Sequence, residues 1–123
     1  MANIDNINSQ MRKGMLEYCV LLVLKRQPAY ASELIACLKE AKLIVVEGTL
    51  YPMLTRLKNA GLLSYTWQES TSGPPRKYDS VTPQGDQVLR LLDDSWNELA
   101  QSIAHLRGPN PDPHSSLFLH EQQ

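Results

Sequence analysis

The 123-residue sequence predicts a mainly α-helical chain with one small β-hairpin, and three observations carry that class. Apolar residues recur at intervals of three and four in three stretches before Gly61 and in a fourth after Thr82. Between them Leu63, Tyr65 and Trp67 alternate with Ser64, Thr66 and Gln68, which suits a half-buried strand. The run Ser70-Thr71-Ser72-Gly73-Pro74-Pro75 is a turn by composition, after which a second strand returns. Three helices, a hairpin and a long last helix form the order of a winged helix-turn-helix with a C-terminal dimerisation helix.

Residues 1–9 are polar, with Asn3, Asp5, Asn6, Asn8 and Ser9, and are expected to form a mobile arm. The winged-helix domain follows over 10–82. Its first helix is expected from Gln10 to Arg26, where Met11, Met15, Tyr18 and Leu22 keep helical spacing. The run Cys19 to Leu24 makes its second half apolar nearly all round, as a central core helix requires. Arg12 and Lys13 stand at its polar start, where solvated surface charge and phosphate contact both fit them.

Gln27-Pro28-Ala29 breaks that helix, and a second is expected from about Tyr30 to Ala41, with Ala31, Leu34, Ile35 and Leu38 on one side. Residues 42–46 link it to a third helix opening at Glu47. Leu50, Leu54 and Leu57 give this helix an apolar face, and Gly61 ends it as a left-handed residue. Pro52 is expected near the first turn, where amide donors lack helical partners. A helix entering the major groove needs donors and acceptors for base edges and cations for phosphates. Thr49, Tyr51, Thr55, Arg56, Lys58 and Asn59 supply that inventory.

The returning strand, Arg76 to Val81, begins with two cations, and beside a recognition helix Arg76 and Lys77 read as phosphate contacts. Thr82-Pro83 is a helix start, with Thr as N-cap and Pro at the first helical position. From there Leu89, Leu92, Trp96, Leu99, Ile103 and Leu106 form a seam of the a/d kind, which predicts a dimerisation helix over 83–107. Gly108-Pro109 stops it. Residues 108–123, with Pro109, Pro111 and Pro113, read as a disordered tail.

The formal net charge of -1 argues against a wholly basic nucleic-acid binder, but the charge is divided. Residues 1–82 hold ten Lys and Arg against seven Asp and Glu, whereas 83–123 hold two against six. A monomer so weakly basic needs a second copy to double its DNA contacts. Cys19 and Cys37 read as buried reduced thiols with no metal-ligand spacing. His105, His114 and His120 lie late in the chain without a catalytic or metal-binding constellation, so no enzyme activity, metal or cofactor is expected. The longest apolar run is too short for a bilayer and the N-terminus lacks the pattern of a signal peptide, which together predict a cytoplasmic protein.

Four motifs occur together at consistent spacing: Glu47-Gly48-Thr49-Leu50-Tyr51-Pro52, Gly61-Leu62, Gly73-Pro74-Pro75-Arg76-Lys77-Tyr78, and Thr82 with Gly85. With them the chain resembles, over about residues 10–107, the PadR family of bacterial transcriptional regulators in its small form with a single C-terminal helix. The resemblance implies a homodimer that binds a near-palindromic operator in double-stranded DNA, usually as a repressor that a signal releases. It places Thr49, Tyr51 and Arg56 towards DNA, and Gly73 and Arg76 where the wing meets the backbone. Some members hold planar compounds between tryptophans of the last helix. Here Trp96, with Asp93 beside it, is the corresponding candidate for a planar, hydrophobic, cationic effector. The sequence departs from the family pattern at Asp79, where many members carry an aromatic, and at Ala31-Ser32, which replaces Gly-Tyr. The alternative is a winged helix used only for protein contact.

Overall fold

The structure, a computed structural model, describes residues 4–109. Its elements are α1 (Ile4–Arg26), α2 (Ala31–Glu40), α3 (Glu47–Asn59), β1 (Leu63–Ser70), β2 (Gly73–Val81) and α4 (Pro83–Arg107). The chain is thus mainly helical with one two-stranded antiparallel hairpin, a winged helix-turn-helix with a long last helix. It divides into two compact units, one ending at Leu89 and one beginning at Arg90. The division falls inside α4, later than the boundary expected at Pro83, because the first turns of α4 are built into the winged-helix unit: Gly85 and Leu89 are both buried.

Helix α1 begins at Ile4, so residues 4–9 are helical rather than an arm, and only 1–3 of that stretch lie outside the described residues. Asp5 in the first turn suits the positive end of the helix dipole. The buried line on α1 is Leu16, Val20, Leu21 and Leu24. Met11 and Leu22, expected to face inward, are exposed together with Ile4 and Ile7. Helix α1 therefore carries two apolar stripes, and its all-apolar second half concealed which one is internal.

Leu34 and Leu38 of α2, Leu50, Met53, Leu54 and Leu57 of α3, and Leu63 of β1 complete the core with Ala29, Val45 and Leu89. Cys19 and Cys37 are half-buried free thiols, and burial pushes the Cys19 thiol up. Pro52 is the sixth residue of α3, beyond the first turn, and takes away the amide that would bond the Gly48 carbonyl. Both residues are exposed, so water can serve that carbonyl in place of the missing amide.

Strands β1 and β2 pair from Leu63↔Val81 out to Gln68↔Arg76 and Ser70↔Gly73. The hairpin thus extends through most of the stretch read as a turn. Pro74 and Pro75 stand together opposite Glu69, where the register shifts, and such a bulge requires no ladder amide from them. Only Leu63 of the alternating face enters the core. Tyr65 and Trp67 are exposed, and Lys58 and Lys77 lie over the Tyr65 ring at 4.9 and 4.5 Å. Cation–π contact covers this aromatic where a half-buried strand had been expected.

Helix α4 starts at Pro83 and ends at Arg107, with Gly108 in the left-handed region after it. The tail read from 108 onward falls outside the described residues from 110. Among the described residues no helix is long and apolar enough to cross a membrane.

Candidate nucleic-acid interface

Helix α3 buries Leu50, Met53, Leu54 and Leu57, and the ridge directly opposite is Gly48, Pro52, Thr55 and Asn59, at i, i+4, i+7 and i+11. All four are exposed. Gly48 has neither a positive φ nor any atom within 4 Å of where a Cβ would stand. A glycine within a helix costs about 0.5–1 kcal/mol against alanine, and among the described residues no close packing at Gly48 requires it. Thr55 donates its hydroxyl to the Tyr51 carbonyl at 3.1 Å, which holds it close along the ridge.

The other sequence-predicted contacts, Gly73 excepted, gather on the two flanks of that ridge. On one side Lys13 of α1 lines a shallow depression with Gly48, Thr49 and Arg56. Arg12 and Lys13 border a second groove with Thr49 and the apolar linker Leu43 to Val46. Arg56 is not free: its guanidinium meets the Glu17 carboxylate of α1 at 3.2 Å. Both side chains are about half exposed or more, so this pair contributes at most about 1 kcal/mol and exchanges readily for another partner.

On the other flank Tyr51, Arg76 and Lys77 line a cleft of about 280 Å³ with Tyr30, Trp67 and Asp79. Lys58 is turned towards Tyr65, and Gly73 opens β2 beside the hairpin turn. Sequence reasoning missed Gly48 and Pro52 as part of the exposed ridge and Tyr30 altogether. A helical glycine with no turn to serve was the available signal for the first. Tyr30 carried none, because its neighbours Arg76 and Tyr78 are distant in sequence.

Asp79, the departure from the family pattern, is buried at 5% exposure. Its backbone pairs with Ala29 through two hydrogen bonds, Ala29 N to Asp79 O at 3.1 Å and Asp79 N to Ala29 O at 2.9 Å. This bridge fastens β2 to the loop before α2. Burial pushes the Asp79 carboxyl above the ordinary value of 3.8, and Lys77 and Lys58 draw it partly back. A carboxyl raised on folding contributes most to stability below its ordinary value, and that contribution is lost as pH rises through the folded value. Asp79→Asn should therefore raise the Tm at neutral pH, and the gap to wild type should close as pH falls below the ordinary carboxylate range. Thermal melts followed by circular dichroism at the two pH values check this; a gap that widens in acid contradicts it.

Of the residues read as a dimer seam, Leu89 is an exception: at 3% exposure it belongs to the core of its own chain and is unavailable to a partner. Leu92 is half-buried, and Trp96, Leu99, Ile103 and Leu106 are exposed. Asp93 is half-buried beside Trp96 in sequence.

A short helix with an exposed ridge, flanked by cations of a first helix and a wing, defines a winged-helix DNA-binding regulator. Residues 20–91 match the transcriptional regulator PadR-like family. The chain belongs to that family, whose members are transcriptional regulators rather than enzymes. Similar solved structures include a PadR-like transcription factor from Bacteroides fragilis, 62% identical over 82% of this chain and 98% of that one, with a TM-score of 0.70. A PadR family regulator from Eggerthella lenta is 34% identical over 87% and 94% of the two chains, with a TM-score of 0.79. A PadR-like regulator from Bacillus cereus is 32% identical over 82% and 99%, with a TM-score of 0.73. No curated protein sequence matches.

Proposed function

We propose that the chain is a cytoplasmic, homodimeric repressor that reads a near-palindromic operator and releases it when a planar aromatic effector binds. The observation that carries the DNA surface is the open ridge of α3 with Gly48 at its N-terminal end and cations on both flanks. On this reading the ridge enters the major groove, Gly48 lets the helix approach the backbone closely, and Thr49, Tyr51, Thr55 and Arg56 address base edges. Arg12, Lys13, Lys58, Arg76 and Lys77 meet phosphates, with Gly73 at the tip of the wing. Family membership favours this over a winged helix devoted to protein contact alone.

Fluorescence anisotropy with DNA from the promoter upstream of its own gene tests the surface. Arg76→Ala should weaken binding to all sequences and reduce the salt slope by about one. Thr49→Ala or Tyr51→Ala should cost about 1–3 kcal/mol on the operator. Gly48→Ala separates fold from function: it should stabilise the protein by about 0.5–1 kcal/mol while weakening operator binding. Wild-type affinity in all four variants overturns the assignment.

Two exposed apolar stripes support the dimer, Trp96, Leu99, Ile103 and Leu106 on α4 and Ile4, Ile7, Met11 and Leu22 on α1. Such stripes on a small chain mark association surfaces. For the effector, Trp96 is exposed at 42% within the seam, and Asp93, Asp94 and Glu98 surround it in sequence. Stacking and charge then act together on a planar cation. Titrating planar cationic dyes should quench wild-type tryptophan fluorescence saturably and Trp96→Ala at least tenfold more weakly. Equal affinity in both proteins leaves Trp96 as interface core only.

A further inference from the structure

Tyr30 stands just before α2, and three features converge on it. Its amide donates to the Glu33 Oε1 at 3.3 Å and its carbonyl accepts the Leu34 amide at 3.0 Å, which anchor the residue to the helix start. Its ring meets the edge of Tyr78 at 5.3 Å between centroids and 77° between planes. The Arg76 guanidinium carbon lies 4.5 Å from the centre of the same ring. Next in sequence, Ala29 is bonded twice to Asp79 of β2, so the backbone under Tyr30 is fixed to the wing as well.

Arg76 is exposed and forms no ion pair among the described residues. A guanidinium carries five N–H donors, so an arginine resting over an aromatic ring keeps donors for another partner. A free arginine on a hairpin samples many rotamers and must give them up when it grips a phosphate. An arginine already held over a ring surrenders fewer.

We propose that Tyr30 is a positioning residue for DNA binding: its ring holds Arg76 in the orientation that meets the phosphate backbone and ties the reach of the wing to the N-terminus of α2. The inference rests on the reading of Arg76 as a backbone contact and adds the residue that sets its strength. Tyr30 itself touches no base. Its effect passes through Arg76, and the phenol hydroxyl has no part in it.

A double-mutant cycle on the full chain, read as operator affinity by anisotropy across salt concentrations, tests this. Tyr30→Phe should bind as wild type does. Tyr30→Leu should bind about two- to fivefold more weakly. In an Arg76→Ala background Tyr30→Leu should cause no further loss. Equal losses from Tyr30→Leu with and without Arg76 overturn the proposal, since Tyr30 then acts through the fold. Unchanged affinity in Tyr30→Leu overturns it too. Unchanged affinity in Arg76→Ala alone removes the reading of the wing on which the proposal stands, and the cycle measures that separately. Nuclear magnetic resonance of the DNA-free protein gives a second readout independent of variant folding: the Arg76 side-chain protons should be shifted upfield by the Tyr30 ring. Their ordinary position in wild type overturns the proposal.

Discussion

Gly85→Ala should destabilise the winged-helix unit by about 3 kcal/mol, near the upper end for an overpacked site. A Cβ at this position would run into the Leu62 carbonyl oxygen and stand 2.9 Å from Val81 Cγ1. Neither neighbour can withdraw freely. The Leu62 oxygen accepts the Thr82 amide at 3.1 Å, and the Thr82 hydroxyl donates to the Gly61 carbonyl at 2.6 Å while accepting the Gly85 amide at 2.9 Å. Gly61 is itself held in the left-handed region at φ 81°, with Gln84 close against it. The end of α3, the start of β1 and the start of α4 thus meet at one joint, and a methyl group inserted there breaks hydrogen bonds worth about 1 kcal/mol each. The expected Tm loss is about 10–20 °C. Gly14→Ala is the control, because a Cβ there meets nothing within 4 Å and should stabilise α1 by about 0.5–1 kcal/mol. Urea unfolding of the two variants decides the matter, and a Gly85→Ala protein as stable as wild type would show that α4 can start elsewhere.

This joint was legible in the sequence as a set of residues and not as a mechanism. Thr82-Pro83 marked the start of α4, Gly61 the end of α3, and Gly85 appeared only as part of a family pattern. The contact between Gly85 and Leu62 depends on two segments meeting in space, which periodicity does not encode. The same limit explains Arg56, whose Glu17 partner lies 39 residues away, and Tyr30, whose ring neighbours are on β2. Helix boundaries set by local chemistry were readable: Leu50, Leu54 and Leu57 with Gly61 for α3, and Thr82 with Gly108 for α4. Boundaries set against local chemistry were not. The polar residues of 4–9 hid the helical spacing of Ile4, Ile7 and Met11, and Pro74-Pro75 concealed a bulged strand.

Leu99→Asp combined with Ile103→Asp should convert a dimer into a monomer and reduce operator affinity by at least about a hundredfold. Leu99 and Ile103 lie one turn apart on α4, exposed at 47% and 41%, between Trp96 and Leu106 of the same seam. In a two-fold symmetric pairing each position occurs twice, so four apolar side chains leave water together. At about 1.5–3 kcal/mol for each fully buried side chain, they supply a large part of what a stable small dimer needs. Aspartate in their place removes that term and sets four carboxylates facing one another, which desolvation makes unfavourable in any register. Neither residue belongs to the winged-helix unit that ends at Leu89, so the variant should keep its hairpin and first three helices by circular dichroism. DNA binding should fall regardless, since a single half-site presents only half the phosphate contacts and forfeits the effective concentration that links the two halves. Light scattering at micromolar protein separates the outcomes. A wild-type protein that scatters as a monomer removes the dimer altogether, whereas a double variant that remains dimeric removes α4 from the interface and leaves the exposed stripe of α1 to account for the association.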